Sequence, residues 1–199
     1  MTADSAAAVP FEPSPAAQRR TLLLGTRLIM GANTMLMGGM LFAYLYLRSQ
    51  NNNSMWRPDG IAELTTPPMA VALLLQLACL AAVLATLAAV RRGQAARMLG
   101  MVALVLGFAG AGAHVWYQYN LGGNWVINNG TYTAVTEMWF GILIVELGLA
   151  WLWLLSVVAP GPRASEPGAS ERHLRAFAEF WGYMLVASTF VFLLARFVE

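Results

Sequence analysis

The run from Thr26 to Arg48, TRLIMGANTMLMGGMLFAYLYLR, constrains the fold more than any other stretch of the chain. Behind Arg27 it holds twenty uncharged residues, and Arg48 closes it. A helix rises about 1.5 Å per residue, so such a run covers ~30 Å, the thickness of a bilayer's hydrocarbon core. Asn33 is its polar exception, Gly31, Gly38 and Gly39 are smooth patches, and Phe42, Tyr44 and Tyr46 gather toward the far end. Small residues let a neighbouring helix approach closely, and tyrosines favour the membrane–water boundary. The expectation is a packed membrane helix, with the glycine-bearing face of this span or of the third buried against protein.

Composition agrees. Only 11% of the 199 residues are charged and 58% are hydrophobic, whereas soluble domains carry about 25% charged residues. Mean hydropathy is +0.58. The class is an all-α, polytopic membrane protein. All twelve basic residues are arginines. Positive charge gathers at the cytoplasmic ends of membrane helices, so the basic pI near 9.0 calls for no nucleic-acid partner. The single cysteine, Cys79, lies in an apolar run and reads as a small core residue; no intramolecular disulfide or cysteine metal cluster can form.

In chain order, residues 1–20 mix Ala, Pro and Ser without an apolar period and read as a disordered tail. No basic stretch precedes an apolar core there, so the tail is expected to stay on rather than act as a signal peptide. Residues 21–199 then form the membrane domain, with spans at about 22–47, 69–90, 98–119, 132–158 and 174–198. Five residues separate Arg92 from Met98, which makes spans two and three an antiparallel hairpin. Gly100, Gly107, Ala111 and His114 recur at helical spacing and give span three one narrow packing face. Nine arginines fall on one side: Arg19, Arg20, Arg27, Arg91, Arg92, Arg97, Arg163, Arg172 and Arg175. Arg48, Arg57 and Arg196 fall on the other. The positive-inside rule makes the first side cytoplasmic, with the N-terminus in and the C-terminus out across the cell's inner (plasma) membrane. Arg19, Arg20, Arg91, Arg92 and Arg97 are the candidate contacts for anionic phospholipid headgroups.

The candidate polar sites lie inside the spans. His114 and His173 differ in depth by most of the membrane, so they cannot share a haem or metal. No ligand spacing appears in the sequence, and no catalytic, cofactor-binding or metal-binding residue is assigned to this chain. In a hairpin turning near Asn124, His114 and Glu137 reach similar depths, which makes each a candidate partner for the other, with interfacial water as the alternative for both. Glu146 lies nine residues from Glu137, on the opposite side of their helix. A neutral acid with a hydrogen bond is far cheaper at that depth than an ionised carboxylate without a cation. Asn33 can supply the hydrogen bond if spans one and four touch. Asn33, His114, Glu137 and Glu146 are therefore read as structural polar residues, with a proton relay as the sharper alternative for Glu146. The aromatic groups Trp139, Trp151, Trp153, Phe180, Trp181 and Tyr183 read as aromatic belts and packing in lipid rather than as a cofactor stripe.

Asn33–Arg48, NTMLMGGMLFAYLYLR, is similar to a signature span of subunit III of haem–copper respiratory oxidases (cytochrome c oxidase subunit III-like, short five-helix form). Trp56-Arg57-Pro58 resembles the family's Trp-Pro in the next loop, and Phe180-Trp181-Gly182-Tyr183 matches the aromatic frame of its last helix. His114-Val115-Trp116-Tyr117 stands where the family has a Gln-x-x-Glu pattern. The chain departs from the family at its ionisable groups. Asn33 replaces an acid, Tyr117 a glutamate, Trp139 and Ile142 paired histidines, and Gly182 and Leu185 a histidine and an aspartate. The resemblance implies a non-catalytic subunit that binds no cofactor itself. It would pack on the catalytic subunit I among other oxidase subunits that carry haem and copper, bind phospholipid, and support stability and proton uptake in aerobic respiration. Two alternatives stand beside it. One is a partner of a nitric oxide reductase, and the other is a small transporter or channel with a mid-membrane polar site at Glu146 and Asn33. An independent membrane enzyme ranks below these, for want of a nucleophile or metal set.

Overall fold

A computed structural model describes residues 14–50, 56–57, 64–122, 130–159 and 168–197. Five helices account for nearly all of them: α1 Pro15–Ser49, α2 Thr66–Arg91, α3 Arg97–Gly122, α4 Thr131–Val158 and α5 Ala169–Phe197. Each is long and apolar enough to cross a membrane, and the chain is a multi-pass membrane protein by this pattern. The expected spans differ from the helices mainly at their ends. The largest difference is α1, which starts at Pro15, inside the segment read as a tail. Ser14 caps it by accepting from the Ala17 amide at 3.3 Å, and Pro15 suits a first-turn position whose amide needs no partner. Residues 1–13 of that expected tail lie outside the described residues. At 35 residues, α1 is ~52 Å long and extends beyond the hydrocarbon layer.

Helix α2 packs on α3, α3 on α4, α4 on α5 and α5 back on α2, closing a four-helix ring. Helix α1 lies outside the ring, against α4 and α5. The tight α2–α3 connection is made possible by Gly93, whose φ of 67° is costly for any residue with a Cβ. Its amide and that of Gln94 bond back to the Val90 and Ala89 carbonyls at 3.0 Å, which ends α2 cleanly. One end of the bundle gathers the starts of α1, α3 and α5 with the ends of α2 and α4. There Arg91 Nε meets Glu171 Oε1 at 3.0 Å. Arg27 Nε meets Glu179 Oε2 at 3.2 Å, tying α1 to α5.

Tryptophan N–H groups link the helices pairwise. Trp139 Nε1 of α4 donates to Met37 Sδ of α1 at 2.9 Å, and Trp151 Nε1 of α4 donates to the Leu104 carbonyl of α3 at 3.0 Å. Trp153 Nε1 of α4 reaches His173 Nδ1 of α5 at 3.3 Å, and Trp181 Nε1 of α5 donates to the Gln76 carbonyl of α2 at 3.0 Å. Trp139 and Trp181 are fully buried. These rings are interhelical ties, so of the two roles expected for them, packing between helices accounts for these four and an interfacial belt does not. An indole offers a large apolar surface and one donor, and in lipid that donor finds its partner inside the protein.

The glycines divide. A Cβ on Gly107 would lie 3.3 Å from both Cys79 Sγ and Trp151 Cδ1, and one on Gly100 would lie 3.1 Å from Val158 Cγ1. Span three therefore packs through its small residues, as its spacing predicts. Gly31, Gly38 and Gly39 of α1 face open space, with nothing within 4 Å of an added Cβ. Of the two spans whose glycine face is expected against protein, it is therefore span three that buries it within this chain, and the α1 face is left uncovered by the bundle. The buried side of α1 is instead the stripe Thr26, Asn33, Met37, Met40 and Tyr44, set on the α4–α5 seam. The large side chains Leu28, Met35, Phe42, Phe108 and Val186 point outward, away from this chain's own bundle.

Candidate functional site

Among the described residues, the amide, acid and imidazole side chains inside the spans form three separate interhelical pairs. The first joins α1 to α4. Asn33 Nδ2 donates to Glu146 Oε2 at 2.9 Å, so spans one and four do touch and the anticipated hydrogen bond is present. Asn33 is 6% exposed, which keeps water from competing for the amide. It lies six residues beyond Arg27, so the pair sits ~9 Å further into the membrane than the Arg27–Glu179 ion pair. Asn33 Oδ1 is buried with no hydrogen-bond partner.

The second pair corrects the sequence reading. His114 is buried in the α2–α3 contact, where Gln76 Nε2 donates to its Nε2. It does not meet Glu137. Glu137 Oε2 instead accepts from Gln118 Nε2 at 2.8 Å, and the Glu137 carbonyl accepts from the same nitrogen at 3.3 Å. The reason is register. Position 118 of α3 faces position 137 of α4, and residue 107 sits against residue 151. The level of His114 therefore falls about one helical turn past Glu137, beside Gly141. A depth estimate that centred the hairpin at Asn124 placed the turn too early. Glu137 and Glu146 do leave opposite sides of α4, one toward α3 and one toward α1. Gln76 was the signal that depth matching passes over: a strongly polar side chain within an otherwise apolar run needs a partner on a neighbouring helix.

Beside Glu146, residues of α1 and α4 with Phe180 of α5 line a groove of about 650 Å³. Gly25 and Ile29 form one wall, and Leu149 and Trp153 the other. Ile29 and Leu149 are 61% and 62% exposed, so the groove opens sideways into the membrane. Thr21 and Thr26 also line it, but their hydroxyls donate to the Ala17 and Leu22 carbonyls of their own helix at 3.0 and 2.9 Å. Glu146, the charged-type residue in the lining, bonds Asn33 through Oε2, and among the described residues Oε1 has no hydrogen-bond partner.

Of the five arginines assigned to lipid, Arg91 is engaged with Glu171, while Arg20, Arg92 and Arg97 are exposed at the same end of the bundle. The backbone of Arg19 lies in the first turns of α1. Among the described residues, no three of His, Cys, Asp and Glu come together as a metal-ligating group. The geometry is that of hydrogen-bonded packing around one groove that ends in a carboxyl. Compared with known proteins, the sequence matches no family model and no characterised protein.

Proposed function

We propose that this chain is a non-catalytic subunit, of the subunit III kind, in a haem–copper terminal oxidase complex of the inner (plasma) membrane. In this reading the N-terminus is cytoplasmic and haem and copper belong to partner subunits. The observation that carries the proposal is the state of α1, the span with the family-like signature. Its Gly31, Gly38 and Gly39 face is left uncovered by the chain's own bundle, and small residues are what a second protein's helix needs for close approach. The subunit's work is then interface packing, lipid retention through the arginine-rich end, and support of proton uptake by the catalytic subunit. A photo-cross-linking residue in place of Met35, 81% exposed beside that face, tests it. The expected product is an adduct with a haem-bearing subunit that Val105, 65% exposed on α3, does not give. Lipid adducts alone at both positions contradict the proposal.

A second reading, a small transporter or channel, is favoured by one observation, the Asn33–Glu146 bond within the membrane. Solute flux through liposomes holding only this chain, abolished by Glu146→Leu, would select it.

A further inference from the structure

The α1–α4 groove combines features that a plain lipid-facing crevice does not need. It is apolar along its walls, ends in a carboxyl well inside the membrane, and carries two aromatic rings, Trp153 and Phe180, with centroids 6.3 Å apart in a tilted arrangement. Its volume of about 650 Å³ lies in the range of small-molecule sites, roughly 300–1,000 Å³. The hydroxyls in its lining are satisfied within α1, and Trp153 Nε1 is used by His173. Glu146 Oε1 is thus the hydrogen-bonding atom offered to an occupant, held in place because Oε2 is fixed by Asn33.

These constraints select the occupant's chemistry. A phospholipid seats its charged head at the membrane surface and its chain ends at depth. That arrangement would lay hydrocarbon on Glu146 Oε1 and leave it unsatisfied. Among the described residues, no arginine lines the groove to hold a phosphate. The matching molecule is neutral, dissolves in hydrocarbon, and carries a flat ring with a hydrogen-bonding oxygen on a long apolar tail. We infer that the groove is a binding site for a prenylated quinone or quinol, with a ring oxygen on Glu146 Oε1, the ring against Trp153 and Phe180, and the tail leaving between Ile29 and Leu149. The inference stands on the groove alone, and it concerns binding without electron transfer.

The test uses the purified full-length chain in phospholipid nanodiscs, titrated with a decyl-tailed benzoquinone while tryptophan emission is recorded, because a bound quinone quenches a neighbouring indole. A saturable quenching component should appear and should be lost in Trp153→Phe. Glu146→Leu should weaken it about tenfold, the worth of one hydrogen bond of this kind, and Glu146→Gln should restore it. Gly25→Leu puts bulk into the groove from α1 and leaves the Glu146 side chain unaltered, and nothing lies within 4 Å of an added Cβ at Gly25. It should abolish the component at an unchanged melting temperature. Quenching that only rises in proportion to membrane quinone, equally in all variants, overturns the inference. So does saturable quenching that Gly25→Leu and Glu146→Leu leave intact.

Discussion

Replacing Gly107 by leucine should destabilise the bundle, and replacing Gly38 by leucine should not. At Gly107 an added Cβ already lies 3.3 Å from Cys79 Sγ, 3.3 Å from Trp151 Cδ1 and 3.7 Å from the Trp181 ring. None of these neighbours is free to retreat. Cys79 Sγ donates to the Ala103 carbonyl at 3.3 Å, Trp151 to the Leu104 carbonyl and Trp181 to the Gln76 carbonyl, both at 3.0 Å. Overpacking a filled contact costs ~1–3 kcal/mol. Removing a helical glycine returns up to about 1 kcal/mol of propensity, but that gain is common to both variants and cancels between them. The difference between Gly107→Leu and Gly38→Leu is therefore the packing term, equivalent to a melting-temperature difference of about 2–4 °C for each kcal/mol in a chain of this size. Thermal unfolding in mild detergent, followed by reaction of a fluorogenic thiol probe with Cys79, reads it directly, since that lone thiol is buried in the fold. Equal midpoints for the two variants would refute the placement of the α3 face.

Asn33→Leu leaves Glu146 Oε2 without its donor and should cost ~0.5–2 kcal/mol by the same thermal assay, while Glu146→Gln should keep assembly and turnover nearly intact. A large fall in the proton-to-electron ratio of the reconstituted Glu146→Gln complex would make Glu146 a relay instead of a structural acid. Gln76→Leu should destabilise by a similar ~0.5–2 kcal/mol through loss of the His114 bond, and an unchanged midpoint would discount that pair. Changing Arg19, Arg20, Arg91, Arg92 and Arg97 together to glutamine should strip anionic lipid in native mass spectrometry, because each basic group near such a surface is worth about 1 kcal/mol. Equal lipid retention would assign these arginines to protein contacts.

The spans were legible because a bilayer imposes length and apolarity on each helix regardless of its neighbours. The Asn33–Glu146 bond was legible for the same reason: a mid-membrane acid has few polar atoms within reach. The His114 partner was not, because it depends on how far α3 and α4 slide past one another, and one helical turn of slippage exchanges Glu137 for a glycine. The open glycine face of α1 was equally hidden. Small residues announce close packing, but the sequence does not distinguish a contact within the chain from one with another protein. The tryptophan ties escaped because indoles serve both interfaces and cores, and only the helix arrangement tells which carbonyl or sulfur lies within reach of each N–H.

Purification of the tagged chain from its native membrane in mild detergent tests the proposed role most directly. Haem-bearing subunits are expected to co-purify in fixed proportion and to give the preparation a haem absorption spectrum and oxygen-reducing activity. A colourless preparation of this chain alone, from membranes whose terminal oxidase remains fully assembled and active without it, would contradict the account.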